Sequence, residues 1–360
     1  QCTGTATVLQ SARSFALVIG NNATIRHKLH IQQMAEYRGV QTISQNSPTR
    51  FGMLYYMMCD MLRSKEAIRG MLLDSAWELL TNEHTQAATW SDVMVSERYW
   101  TGLKHVKALI LPIMEAITAL EADMPKLSSV YPVWLSLLRH SKTWASDASV
   151  PPSLKTGVVE AFERRFSKHQ HPSWYAAHAL DPAFATVENG QWSLAASTML
   201  ANTDIILPLV SRLGGGTLDA AQAELTSLTL TGVPPCLASH MPRLAARVAG
   251  KDGSQAMSDI SLRRGWWKLM GKQGFPILAA AAQRMLACHV TTASAERNWS
   301  AWGRTYVPLR SSLKVSTAEK LIYIKANKGG AKSVHEDWEV FLTTIREEDA
   351  EGEEEEVVLV

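Results

Sequence analysis

Residues 97–123 read ERYWTGLKHVKALILPIMEAITALEAD. Leu103, Val106, Ile110, Ile113, Ile117 and Leu120 recur there at spacings of three and four, which lays one apolar stripe along a single face of a long helix. Pro112 falls inside the stretch and removes an amide donor, so the helix is expected to kink there or divide in two. Similar periodicity predicts helices over 8–19, 22–37, 52–74, 154–167, 236–248 and 276–287. In the last of these, Pro276 suits the first helical position. Short candidates for extended structure lie at 156–160, 205–210 and 226–231, but none sustains an alternation of period two. The expected fold class is mainly α, with little β-sheet.

The chain has 360 residues, 46% hydrophobic and 19% charged, which fits a folded globular protein and not a disordered one. No apolar run reaches the roughly 18 residues that suggest a membrane-spanning helix, so no membrane partner is expected. No small-molecule substrate is expected either. There is no GxSxG nucleophile elbow, and Gly214-Gly215-Gly216 lacks the GK[ST] ending of a phosphate loop. Cys2, Cys59, Cys236 and Cys288 are scattered without a CxxC pair, which argues against a disulfide scaffold and a cysteine-rich zinc site. His140, His169, His171 and His178 invite a metal reading, but Pro172 interrupts the helical spacing and no cysteine is near.

Charge is uneven. Residues 347–360, EEDAEGEEEEVVLV, carry eight acids and no base; removing them from the 34 acids leaves 26 against 36 Lys and Arg, a body of +10. Such a body suits nucleic acid as a partner, and the acidic end reads as a solvated tail. Breaks rich in Gly, Pro, Ser or Asp are expected at Ser44–Pro48, Ser146–Pro152, Gly214–Gly216 and Ala249–Ser254.

Near the end of the chain, a helix starting at Thr292 or Ala293 carries Glu296, Trp299, Trp302 and Tyr306 at spacings of three, three and four, with Arg297, Arg304 and Arg310 nearby. Packing in a core or between subunits is the expected role of the aromatics, and stacking on DNA bases is the alternative. Glu296 reads as a first-turn acid that complements the positive helix end, or as one carboxylate of a metal set. One carboxylate alone does not hold Mg²⁺ for phosphoryl transfer.

The string Ala295-Glu296-Arg297-Asn298-Trp299-Ser300 resembles the C-terminal dimerisation region of hAT-family transposases. Trp266-Trp267 upstream and Arg310, Leu313, Leu321-Ile322-Tyr323-Ile324 and Asn327 downstream extend the resemblance. Residues 171–184, HPSWYAAHALDPAF, are similar to the family segment that normally ends in Leu-Asn-Pro. Thr49-Arg50-Phe51 resembles its Thr-Arg-Trp motif, and Trp100–Tyr131 its long insertion helices. Two departures stand out. Phe51 replaces a tryptophan held to stack near a flipped base, and Arg310-Ser311-Ser312-Leu313 lacks a second base.

The resemblance implies a ribonuclease-H-like (α/β) core interrupted by a helical insertion. Residues 1–66 would be the remnant leading out of the core and 67–260 the insertion domain. Residues 261–329 would form the dimerisation region, and 330–360 a helix end with an acidic disordered tail. It implies that Glu296 stands at the glutamate of an Asp, Asp, Glu triad. The two aspartates belong to strands before the matching region and have no counterparts here, and Asp60, Asp74 and Asp181 sit in no matching motif. The expected function is a dimerisation module of an hAT-type DNA transposase or a domesticated derivative, incomplete as a catalyst. Self-association is expected through Trp299, Trp302, Tyr306, Leu321, Ile322 and Ile324. DNA contacts are expected through Arg50, Phe51, Arg297, Arg304 and Arg310. No cofactor is expected for this chain; Mg²⁺ would serve a full-length active relative, with Glu296 a ligand only if the aspartates are supplied. The implied location is the nucleus. The alternative is a domesticated nuclear scaffold that binds proteins or DNA phosphates without catalysis.

Overall fold

The computed structural model describes residues 3–45, 52–74, 77, 87–121, 124–245, 253–291, 293–305 and 313–327. Its first part comprises helices α1 (Thr3–Asn21), α2 (Ala23–Tyr37), α3 (Gly52–Arg63), α4 (Lys65–Leu73), α5 (Ala87–Met94) and α6 (Glu97–Leu120). Helices α7 (Leu127–Ser146), α8 (Pro152–Lys155), α9 (Val158–His169) and α10 (Pro172–Ala179) follow, then a 3-10 turn at Pro182–Phe184 and strands β1 (Thr186–Glu188) and β2 (Gln191–Ser193). The remainder is α11 (Ala196–Ala201), α12 (Thr203–Gly214), α13 (Leu218–Thr231), α14 (Pro235–Ala238), α15 (Met241–Ala245), α16 (Gly253–Lys272), α17 (Pro276–Met285), α18 (Ala293–Thr305) and α19 (Val315–Asn327). The described residues are thus mainly α with one two-stranded antiparallel hairpin. No helix among them is long and apolar enough to cross a membrane.

Helix α6 follows the periodicity that predicted it. Leu103, Val106 and Ile110 are buried, and Ile113, Ile117 and Leu120 are half-buried beyond Pro112. The expected division at Pro112 does not occur: one helix runs through it. Around α6 lies a first core, built from Phe15, Ile25, Met57, Met61, Ile68, Trp77, Trp90 and Trp100 among others. Its indoles keep their polar edge satisfied while burying the ring. Trp100 Nε1 donates to the Met94 carbonyl at 2.6 Å, and Trp144 Nε1 to the His105 carbonyl at 3.0 Å.

A second core gathers Tyr175, Leu180, Ile206, Val210, Leu225, Trp266, Trp267, Met270 and Leu278. Helices α7 and α9 serve both cores. Trp144 and Val158 belong to the first, while Tyr131 and Phe166 pack against the second. Within the second core α17 lies against α12, α13 and α16. Its small residues Ala279, Ala281 and Ala282 are buried, which lets the helices approach closely. Glu224 on α13 accepts from the Ile277 and Leu278 amides at 3.0 and 2.9 Å, so a carboxylate caps the exposed donors at the start of α17. The expected boundary at 66/67 falls inside the first core, between Met61 and Ile68, and that at 260/261 falls within α16.

Several local expectations are corrected. Residues 205–210 and 226–231 are helical, in α12 and α13. Ile206, Leu207, Leu209 and Val210 are buried around Pro208, a pattern one buried helix produces as readily as a strand. Residues 156–160 are a turn followed by the start of α9, with Gly157 at φ 74. The 52–74 stretch is two helices that meet at Ser64, and 154–167 is likewise two. Of 236–248, Cys236–Ala238 and Met241–Ala245 are helical and 246–248 lie outside the described residues. The one hairpin is where no strand was expected. Val187 pairs with Trp192 across Asn189 (φ 50) and Gly190 (φ 78), the left-handed pair of a type I′ turn.

The C-terminal region is fastened to this body by a buried polar cluster. Asp181 is fully buried; its Oδ1 accepts from the Ala183 amide at 2.9 Å and its Oδ2 pairs with Arg263 Nη1 at 2.6 Å. Beside it Trp267 Nε1 donates to the Leu180 carbonyl at 2.7 Å. Leu180-Asp181-Pro182 is therefore tied to two residues of α16, one turn apart. Removing one member leaves the other charge buried, so Asp181→Ala should lower unfolding free energy by about 3–5 kcal/mol in urea titration. Gly214→Ala should cost about 1–3 kcal/mol by overpacking, because its Cβ would lie 2.5 Å from the Ile277 carbonyl oxygen.

Candidate self-association surface

Helix α18 reads ASAERNWSAWGRT, with Glu296 in its first turn and Arg304 in its last, each sign complementing the helix dipole. Helix α19 reads VSTAEKLIYIKAN and starts with the Ala318 amide donating to the Lys314 carbonyl at 3.0 Å. The two helices make their main contacts with each other. Ala318 and Ile322, four residues apart, are buried on one face of α19; Ile322 is 5% exposed. Trp302, Leu313 and Ile324 are half-buried.

Large apolar side chains are exposed on both helices. Trp299 is 73% exposed, Tyr323 71% and Leu321 44%, and Val315 is exposed as well. Leu321 and Tyr323, two residues apart, point to different sides of α19. Glu296, Ser300, Gly303 and Arg304 are exposed along α18 beside Trp299.

Of the residues expected to join copies, Trp299 and Leu321 face outward. Trp302 and Ile324 are half-buried, and Ile322 is buried. Tyr306 lies outside the described residues. So do Arg50, Phe51 and Arg310, and of Arg297 only the backbone, within α18, is described. Arg304 is exposed. The sequence reading passed over Tyr323. Helical phase could have found it, because Tyr323 stands five residues after Ala318, well round α19 from the buried Ala318. The Asp181–Arg263 pair was also missed, and with 82 residues between partners no local signal announces it.

The remaining acids have structural positions. Asp60 accepts from the Ser44 amide at 2.9 Å and pairs with Arg63. Asp181 is committed to Arg263. Asp74 is exposed at the end of α4. Among the described residues no group of three or more His, Cys, Asp or Glu side chains is placed to hold a metal ion. Glu296 is thus not joined there by the further carboxylates that Mg²⁺ chemistry of this kind requires. Two of the histidines have local contacts. His171 Nδ1 accepts from the Ser173 amide at 3.2 Å, capping α10, and His178 packs 4.4 Å from the Phe184 ring and 5.4 Å from Tyr131.

No curated protein matches the chain. Residues 263–327 match the family model of the hAT family C-terminal dimerisation region, a stretch that opens at Arg263 and closes at the end of α19.

Proposed function

We propose that the chain self-associates through α18 and α19 as the dimerisation part of an hAT-type DNA transposase or a domesticated derivative. The observation that carries this reading is the outward placement of Trp299, Tyr323, Leu321 and Val315 within the stretch matching a dimerisation region. An interface anchor is by nature exposed in a single protomer. An aromatic side chain removes about 150–250 Å² from water when covered, and a stable interface buries about 1,200–2,000 Å² in total. Trp299 and Tyr323 are the aromatic anchors assigned to such a surface. Ile322 then acts indirectly, by holding α19 against α18.

In the same reading residues 67–260 serve as the helical insertion, with 1–66 leading out of a ribonuclease-H-like core and Glu296 at the position of a triad glutamate. The nucleus is the corresponding location. A scaffold that binds DNA without cutting it is the second reading, and the +10 body favours it. Cations spread over that body would meet backbone phosphates, with Arg304 among them.

The native chain should sediment as a dimer or larger. Trp299→Ala with Tyr323→Ala should weaken association by about 30-fold or more, the loss typical of removing interface anchors, with helical circular dichroism unchanged. A native chain that stays monomeric contradicts the reading. Ile322→Asp should instead lower helix content, since it places a charge inside the pair. For the second reading, DNA affinity should fall steeply with salt, the logarithm of the binding constant dropping by about 0.9 per phosphate contact; an affinity indifferent to salt removes it.

A further inference from the structure

We infer that the exposed side of α16 is a binding site for the phosphate backbone of a DNA duplex, held by Arg264, Lys268 and Lys272. The inference rests on the second reading above, that the chain binds DNA, and gives that binding a place; it is independent of self-association.

Arg264, Lys268 and Lys272 follow one another at intervals of four residues along α16, and all three are exposed. At about 1.5 Å of rise per residue they form a line of cations about 6 Å apart and about 12 Å long. Such a line is unfavourable in an isolated protomer, because like charges four residues apart on a helix repel. No compensation comes from within. None of the three makes a hydrogen bond or an ion pair among the described residues. Cations elsewhere are matched: Lys65 pairs with Glu97 at 2.7 Å and Lys142 with Glu163 at 2.9 Å. Arg263, the neighbour of Arg264, is committed to the buried Asp181.

The surroundings carry one sign. Helices α14, α15 and α17 pack against α16 and contain no Asp or Glu. Residues 232–295 hold eight Lys and Arg against two acids, Asp252 and Asp259. Asp252 lies outside the described residues. Asp259 precedes Arg264 by five residues, outside the spacings of three and four that pair side chains on a helix. A polyanion would therefore meet an unopposed positive field along this helix.

The line is also held in place. Trp266, Trp267 and Met270 bury the other face of α16 in the second core, and Trp267 and Arg263 tie the helix to Leu180 and Asp181. A fixed, straight array of cations suits a stiff anion of regular spacing, and each strand of a duplex presents a phosphate about every 3.4 Å of its axis. An acidic peptide would lose backbone entropy in following the same line, which a duplex does not. Contacts of this kind position the protein on the duplex without reading its sequence.

The test uses the full chain and a labelled DNA duplex of mixed sequence, with affinity followed by fluorescence anisotropy across salt. One variant combines Arg264→Gln, Lys268→Gln and Lys272→Gln. A control removes equal charge from exposed cations of α1, α6 and α7 through Arg13→Gln, Lys104→Gln and Arg139→Gln. The α16 variant should bind about tenfold or more weakly, with a salt slope shallower by about two to three, while the control stays close to native. Acetylation of the native chain reads the same site without substitution: Lys268 and Lys272 should lose reactivity when the duplex is added, and Lys104 should keep it. If the native chain binds DNA and the α16 variant binds equally well, or the control loses as much, this site is overturned while DNA binding stands. If the native chain does not bind DNA, the reading beneath it fails as well. If Lys268 and Lys272 are protected without DNA, and become reactive once the eight acids of 347–360 are changed to amides, the line is occupied by the chain's own acidic end and the inference is overturned.

Discussion

Helices α18 and α19 pack mainly on each other, and α19 buries Ala318 and Ile322, four residues apart, which fixes which of its other side chains are left exposed. Two helices of 13 residues can bury only one stripe each against the other. Their remaining faces must meet water, the body of the protein, or another molecule. With Ile322 buried, the phase of α19 turns Tyr323 outward; Val315, in its first turn, and Trp299 on α18 are exposed as well. Large apolar side chains in that position are costly to leave in water, and in the self-association proposed above they are what a second copy covers.

The region would serve little if it were loosely attached, and its opening helix is not. Trp266 and Trp267 are buried in the second core, and Arg263 is held by the fully buried Asp181. The ion pair costs desolvation, so its contribution is best seen as positional: it fixes the register of α16 against the Leu180-Asp181-Pro182 turn. The matching dimerisation stretch thus opens inside the core and ends on exposed helices, its first part packing the protomer and its last part presenting a surface.

Legibility in the sequence varied with the range of the interaction. The stripe of α6 was readable because one face of one helix carries the whole signal, and its unbroken passage through Pro112 was not, since helix continuity there is set by packing. The hairpin at 186–193 went unseen although Asn189-Gly190 is a strong turn signal, because three-residue strands are too short for alternation to register. Residues 205–210 looked extended because a buried helix and a buried strand share the same apolar run. At the candidate surface, spacing grouped Trp299 with Trp302, whereas the structure half-buries Trp302 and exposes Trp299. Which side of a helical face turns inward depends on the helix it meets, and α19 lies beyond the window of α18.

The most direct measurement is hydroxyl-radical footprinting of Trp299 across protein concentration, with mass followed in parallel. The account requires that modification of Trp299 fall as mass doubles, while Asp147 and the other exposed residues at the α7–α8 turn keep their reactivity. A dimer in which Trp299 stays as reactive as in the monomer would show that copies join elsewhere and would contradict the account.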